Sequence, residues 1–301
     1  MPVSLYPKSR RSFLKTGSLA TLSSAFALQA QDAAPWYALM SDTHIDADPM
    51  KEARGAVMGD NLRAVVDEIL KEPTKPEFAL INGDCAYLKG LKEDYATLRP
   101  LVQPLLDAGV PVHLTMGNHD DRGPFFELFP EANADAETVK DRHITVIESK
   151  DANWILIDTL QIVNNVTGEI GQEQREWISA TIDDLGDKPV ILVGHHYLQP
   201  MPEGATERIS GLADTAEFMG ILESKPQIKA YIYGHSHSYG FKEVSGGIHL
   251  INQPPVAYVF NQSRPNGWLR AELSGDSLSL KLNTLDKAHE LSGDTKMLSW
   301  R

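Results

Sequence analysis

The chain has 301 residues, of which 42% are hydrophobic, a formal net charge of -13 and a single cysteine. That is enough apolar material for a sizeable core in one large domain or two small ones. A body this acidic does not suit a nucleic-acid polymer, whose binding depends on Lys and Arg neutralising phosphates, and Cys85 alone cannot form an intrachain disulfide.

The first stretch differs from the rest. Ser9-Arg10-Arg11-Ser12-Phe13-Leu14-Lys15 precedes an Ala- and Ser-rich run from Thr16 to Ala30 that carries no acidic residue. This order of basic region, apolar region and small-residue region resembles a twin-arginine export leader over residues 1–30, with cleavage after Ala27 or Ala30. The resemblance implies the twin-arginine export machinery as a partner and a periplasmic or otherwise exported product. The run is too short and too mild for a stable membrane span. Residues 31–301 then form a single domain, since no linker divides them.

Trp36 to Met40 is a short apolar strand ending at Asp42-Thr43-His44. Val57 to Leu70 has apolar residues at helical spacing (Leu62, Val65, Val66, Ile69, Leu70) and is stopped by Pro73. Glu77 to Ile81 is the next strand, ending at Asn82-Gly83-Asp84. Tyr95 to Ala108 reads as a helix despite Pro100 and Pro104, ended by Gly109. Val110 to Met116 is a strand running into Gly117-Asn118-His119-Asp120. Asn153 to Ile157 is a strand, Gln172 to Leu185 a helix, and Pro189 to Val193 a strand that delivers Gly194-His195-His196. Leu212 to Leu222 is helical, and Ile228 to Tyr233 leads to Gly234-His235-Ser236-His237. Three strands come last: Gly247 to Asn252, Trp268 to Leu273 and Leu278 to Leu282. Alternating strands and helices predict an α/β fold with buried strands, and the late strands imply a second sheet or an extension of the first.

Each polar cluster follows an apolar run, and open α/β sheets bind ligands at such carboxyl ends. Asp42, His44, Asp84, Asn118, His195, His235 and His237 supply seven oxygen or nitrogen donors, more than one ion normally takes from protein. Two ions are the economical reading, and a close pair needs an anionic bridge, for which Asp84 is the natural carboxylate. Mixed carboxylate, amide and imidazole donors suit Mn, Fe or Zn as divalent or trivalent ions, among others. A small phosphate ester at such a site is compatible with the acidic body, because bound cations outweigh a distant surface field.

In this order the five clusters resemble the calcineurin-like metallophosphoesterases, over about Ala38 to His237. The resemblance implies a four-layer α-β-β-α sandwich with a dinuclear metal site at the carboxyl ends of the strands. Asp42, His44 and His237 would bind one ion, Asn118, His195 and His235 the other, and Asp84 both. His119 would face the substrate as a catalytic residue, with a metal-bridging hydroxide attacking phosphorus. Asp120 would orient His119 or cap a helix, and of the adjacent pair His195 is the ligand and His196 its neighbour. Gly83-Asp84-Cys85-Ala86-Tyr87-Leu88 lacks the acid and arginine of the protein-phosphatase branch. Gly117 to Arg122 instead resembles the class III cyclic-nucleotide phosphodiesterase and glycerophosphodiesterase branch. Arg122 would touch the phosphate or form a surface salt bridge. The implied function is hydrolysis of small phosphodiesters, with a phosphomonoesterase or a non-catalytic metal-binding module as alternatives. His113 and His249, inside apolar strands, read as core or near-site histidines.

Overall fold

The computed structural model describes residues 4–5, 34–130, 139–202, 204 and 206–300. Apart from two residues, the stretch read as an export leader lies outside the described residues. Those two form β1 (Ser4–Leu5), which is antiparallel to the sheet edge at Val112 and His113.

The first half of the chain alternates strands and helices: β2 (Trp36–Ser41), a short hairpin of β3 (Glu52–Ala53) and β4 (Ala56–Val57), α1 (Met58–Lys71), β5 (Ala79–Asn82), α2 (Lys92–Asp107), β6 (Val112–Leu114) and α3 (Arg122–Leu128). Strands β2, β5 and β6 run parallel and are buried throughout, as the unbroken apolar runs require. The buried face of α1 is Met58, Gly59, Leu62, Val65, Val66 and Ile69, whereas Leu70 points outward. In α2 the buried residues include Tyr95, Leu98, Val102, Leu105 and Leu106, and both Pro100 and Pro104 fall on the exposed face. There the carbonyls that lose an N–H partner face water, which is why the helix tolerates two internal prolines.

The second half repeats the alternation: β7 (Thr145–Glu148), β8 (Asn153–Leu156), α4 (Gln172–Asp184), β9 (Val190–Val193), α5 (Thr215–Ser224), β10 (Ile228–Tyr233), β11 (Gly240–Val244) and β12 (Ile248–Asn252). The meander β13 (Gly267–Ser274), β14 (Ser277–Thr284) and β15 (Thr295–Ser299) follows. One sheet has the order β1-β6-β5-β2-β13-β14-β15 and the other β11-β12-β10-β9-β8-β7. The late strands divide between the sheets: β13, antiparallel to β2, and β14 extend the first, whereas β12 joins the second beside β10. The second sheet is built from the middle of the chain, with β12, β10, β9 and β8 parallel.

Three apolar clusters make four layers. Helices α1 and α2 cover the outer face of the first sheet through Leu62, Val66, Leu98 and Val102. Tyr37, Leu39, Leu80, Trp154, Ile191, Val193 and Ile232 fill the space between the sheets. Helices α4 and α5 cover the outer face of the second through Ile178, Ile182, Phe218 and Leu222. This is the α-β-β-α sandwich. Elements that the periodicity did not reveal are the short or edge ones: α3, with Gly123 and Pro124 in its first turn, and the edge strands β7, β11 and β15 with their polar residues.

Candidate metal centre

The parallel strands of both sheets end on the same side of the sandwich, and the polar clusters follow those ends. Asp42 and His44 follow β2, Asp84 follows β5 and Asn118 follows β6 in the first sheet; His195 follows β9, and His235 and His237 follow β10 in the second. Two groups of donor atoms result, Asp42 with His44, Asp84 and His237, and Asp84 with His195 and His235, each within 4.8 Å of one another. Asp84 belongs to both. Its Oδ2 lies 3.2 Å from His195 Nε2 and 3.7 Å from His44 Nε2, while its Oδ1 accepts the His119 backbone N–H at 2.8 Å. Asp42 Oδ1 is 3.4 Å from His237 Nε2.

The backbone is contorted to achieve this. Asp42, His44, Asp84, His235 and His237 all adopt positive φ, between 46° and 65°, a left-handed conformation that non-glycine residues rarely hold without a reason. The glycines that precede the donors are there for space. A Cβ at Gly117 would fall on Asp84, one at Gly234 on Ser41 and Asp42, and one at Gly83 within 2.5 Å of the His195 ring.

Neighbouring carbonyls fix the imidazoles. His195 Nδ1 donates to Asn82 O at 2.9 Å and His237 Nδ1 to Tyr258 O at 2.6 Å, which leaves each Nε2 facing inward. His235 Nδ1 and both amide atoms of Asn118 are buried without a hydrogen-bond partner, and His195 Nε2 meets the Asp84 carboxylate at 3.2 Å. His44 Nε2 and His237 Nε2 face each other at 2.9 Å. Buried polar atoms left unmatched cost about 1–3 kcal/mol each, so a cluster of them with the donor chemistry of a cation site fits a metal centre. Burial would raise the Asp84 carboxyl, but the flanking His195 and His119 outweigh it and hold it well below the usual carboxylate range. The His195 imidazole, opposed by burial, is nonetheless drawn up to about 9 by Asp84 and Asp42. Burial keeps His44 and His235 neutral, the latter pushed down to about 3, and neutral imidazole is the ligating form.

The remaining expected residues are placed as follows. His119 is half-buried and lines a cleft of about 360 Å³ together with His44, Asp84, Asn118, His235 and His237. Its Nδ1 donates to Leu88 O at 2.7 Å. Asp120 makes no hydrogen bond to that ring. Its buried carboxylate accepts from the backbone N–H groups of Cys85, Ala86 and Gly117 and from Tyr95 Oη, tying the Asp84 loop to the Asn118 loop. Burial, reinforced by Asp84, raises Asp120 to about 6 against the backbone donors. The helix cap is Asp121, which accepts from Gly123 N. His196 lies outside both donor groups and bonds Thr159 Oγ1 through Nδ1 at 2.7 Å. Arg122 is committed to Asp158 through two bonds of 2.7 and 2.8 Å, a part-buried ion pair away from the cleft.

Sequence reasoning overlooked the girdle beneath the donors. Asn82 donates to Gly194 O and Gln253 Oε1, accepts from Thr115 Oγ1, and lends its carbonyl to His195. Asn82 adjoins a recognisable cluster; Gln253 has no sequence signal at all. Cleft size alone would not have located the site, because a larger cleft of about 630 Å³ lies at Tyr37, Phe78 and His113, where no donor cluster exists among the described residues.

Comparison with known proteins agrees with this geometry. A family described as calcineurin-like phosphoesterase matches residues 36–239. The 3′,5′-cyclic adenosine monophosphate phosphodiesterase CpdA of Pseudomonas aeruginosa is 24% identical over 233 residues, covering 77% of this chain and 79% of its own. The glycerophosphodiester phosphodiesterase GpdQ of Enterobacter lignolyticus is 24% identical over 204 residues, 66% of this chain and 69% of its own. Among solved structures, a dimetal phosphatase from Danio rerio superposes with a TM-score of 0.69 at 16% identity, covering 90% of this chain and all of that one.

Proposed function

Because the chain belongs to the calcineurin-like phosphoesterase family, we propose that it is a two-metal hydrolase acting on small phosphodiesters. The observation that carries this reading is the sharing of Asp84 by two adjacent donor groups. Asp42, His44 and His237 would hold one cation, Asn118, His195 and His235 the other, and Asp84 both, with Mn, Fe or Zn as the candidate ions. Bound there, two cations supply Lewis acidity toward the phosphoryl oxygens and toward a water nucleophile.

The chain's own groups account for the rest. A carbonyl can only accept, so Leu88 O holds the proton of His119 on Nδ1 and Nε2 is the atom free for substrate. To donate toward a leaving oxygen, that ring must therefore carry a second proton as imidazolium. Asp120 acts as a positioning residue for the two loops that present Asp84 and Asn118. The names of relatives that cleave cyclic and glycerol phosphodiesters support the diester preference, as does the missing acid-arginine pair after Asp84. With Mn added, the full chain is expected to turn over bis(p-nitrophenyl) phosphate with a kcat/KM at least equal to that for p-nitrophenyl phosphate. A strong preference for the monoester would move the assignment to a phosphomonoesterase. Residues 1–30 we read as a twin-arginine leader for export to the periplasm, supported by Arg10-Arg11 and the acid-free run behind them. Export that persists in an Arg10→Lys, Arg11→Lys double variant would contradict it.

A further inference from the structure

We propose that Arg54 and Phe260 form a stacking wall at the mouth of the metal cleft that selects diesters carrying a planar aromatic ester group. The inference rests on the phosphodiesterase reading and adds to it the identity of the group recognised.

Phe260 is a large apolar side chain left 56% exposed, yet it lines the donor cleft and stacks on His237 at 4.2 Å and 22°. The Arg54 guanidinium lies 4.8 Å from the Phe260 ring centre and 5.7 Å from that of Tyr258. Arg54 is exposed, and among the described residues no carboxylate pairs with it. An unpaired cation held over rings at the edge of an anion-processing cleft has one planar face spent on the protein and the rest of the fork turned to solvent.

Both partners are held in place, which suits a recognition surface better than a loose loop does. Arg54 and Gly55 link β3 to β4 with φ of 52° and 82°, the pattern of a tight hairpin turn with two left-handed residues. Glycine occupies the second position, but the first holds arginine, against its conformational preference. The hairpin runs straight into α1, where Gly59 is packed against Pro49 O. On the other side, Asn61 Nδ2 donates to the carbonyls of Val256 and Ala257, and the backbone N–H groups of those residues donate to Ser41 and Asp42. That segment supplies Tyr258 O to His237 and, two residues on, the Phe260 ring. Tyr197, Ser210 and Ser236 also line the cleft, with the Tyr197 and Ser210 hydroxyls bonded to each other and Ser236 Oγ accepting from Asn252 Nδ2. Arg54 over Phe260 thus gives a ring-bearing ester arm a planar surface to stack on at the edge of the donor cleft.

The test keeps the leaving group constant. Metal-loaded full chain is compared on bis(p-nitrophenyl) phosphate and ethyl p-nitrophenyl phosphate, which both release p-nitrophenolate and differ in the retained arm. Aromatic stacking predicts that the aryl-to-ethyl ratio of kcat/KM falls about tenfold in Phe260→Leu and severalfold in Arg54→Ala, mainly through KM. Arg54→Lys keeps the charge and loses the plane, so it should fall with Arg54→Ala. Metal content is measured in each variant, because Phe260 touches His237. A ratio unchanged within twofold in Phe260→Leu and Arg54→Ala, with two ions still bound, overturns the wall. Full retention of the ratio in Arg54→Lys overturns the planar role of Arg54. Absence of turnover of both diesters by the metal-loaded parent overturns the phosphodiesterase reading and the wall with it.

Discussion

At the scale of single residues, the chemistry separates Asp84 from His119 although their side chains lie on the same cleft. Asp84 is the anion common to both donor groups, so Asp84→Ala should purify with fewer than two ions per chain. Two tightly held ions in that variant would contradict the shared role. His119 lies outside both groups and meets a carbonyl on its far side, so His119→Ala should keep two ions and lose roughly a hundredfold or more in kcat. Unchanged turnover there would remove His119 from the mechanism. The sequence displayed these residues because they stand in short clusters with Gly83 and Gly117, whose missing Cβ atoms make room for His195 and Asp84, and that is a local pattern. It could not display Gln253, whose bond to Asn82 spans 171 positions, nor the turning of Asp120 away from its neighbour, which depends on Tyr95 arriving from α2.

At the scale of elements, buried parallel strands were legible from unbroken apolar runs, and helices from their spacing, with boundaries shifted by a few residues. The edge strands were not, because an edge faces water and is free to carry polar residues such as those of β11. The same burial explains a property of β6. His113 lies inside it, packed edge-on against Phe78, and burial pushes its imidazole down to about 4. An unfolded chain holds histidine near 6.5, so as pH falls the unfolded state takes up the proton first. The stability this neutral ring confers is complete above about pH 6.5 and is lost on descending toward pH 4, by roughly 3 kcal/mol. Urea midpoints measured at pH 7 and pH 4.5 should therefore converge in a His113→Phe variant relative to the parent. Equal pH sensitivity in both would show that His113 does not contribute.

At the scale of the whole molecule, four layers were readable only through the resemblance, since alternation predicts α/β without saying how many sheets. The donors come from both sheets, and each group contains members of each: Asp42, His44 and Asp84 from one with His237 from the other, and Asp84 with His195 and His235. Cations bound there stabilise the folded chain by mass action. Chelation should abolish turnover and lower the melting temperature by several degrees, and both should return on adding Mn. A melting temperature indifferent to chelator would mean that the ions do not bridge the sheets.

That division of donors has a further consequence for how the chain tolerates change. No single sheet owns a complete cation pocket, so ion affinity becomes a gauge of how accurately the two halves mate. A cavity cut deep between them, as by truncating Trp154 some distance from any donor, need not unfold anything to be damaging; a slight slip of one half against the other would already spread the pocket.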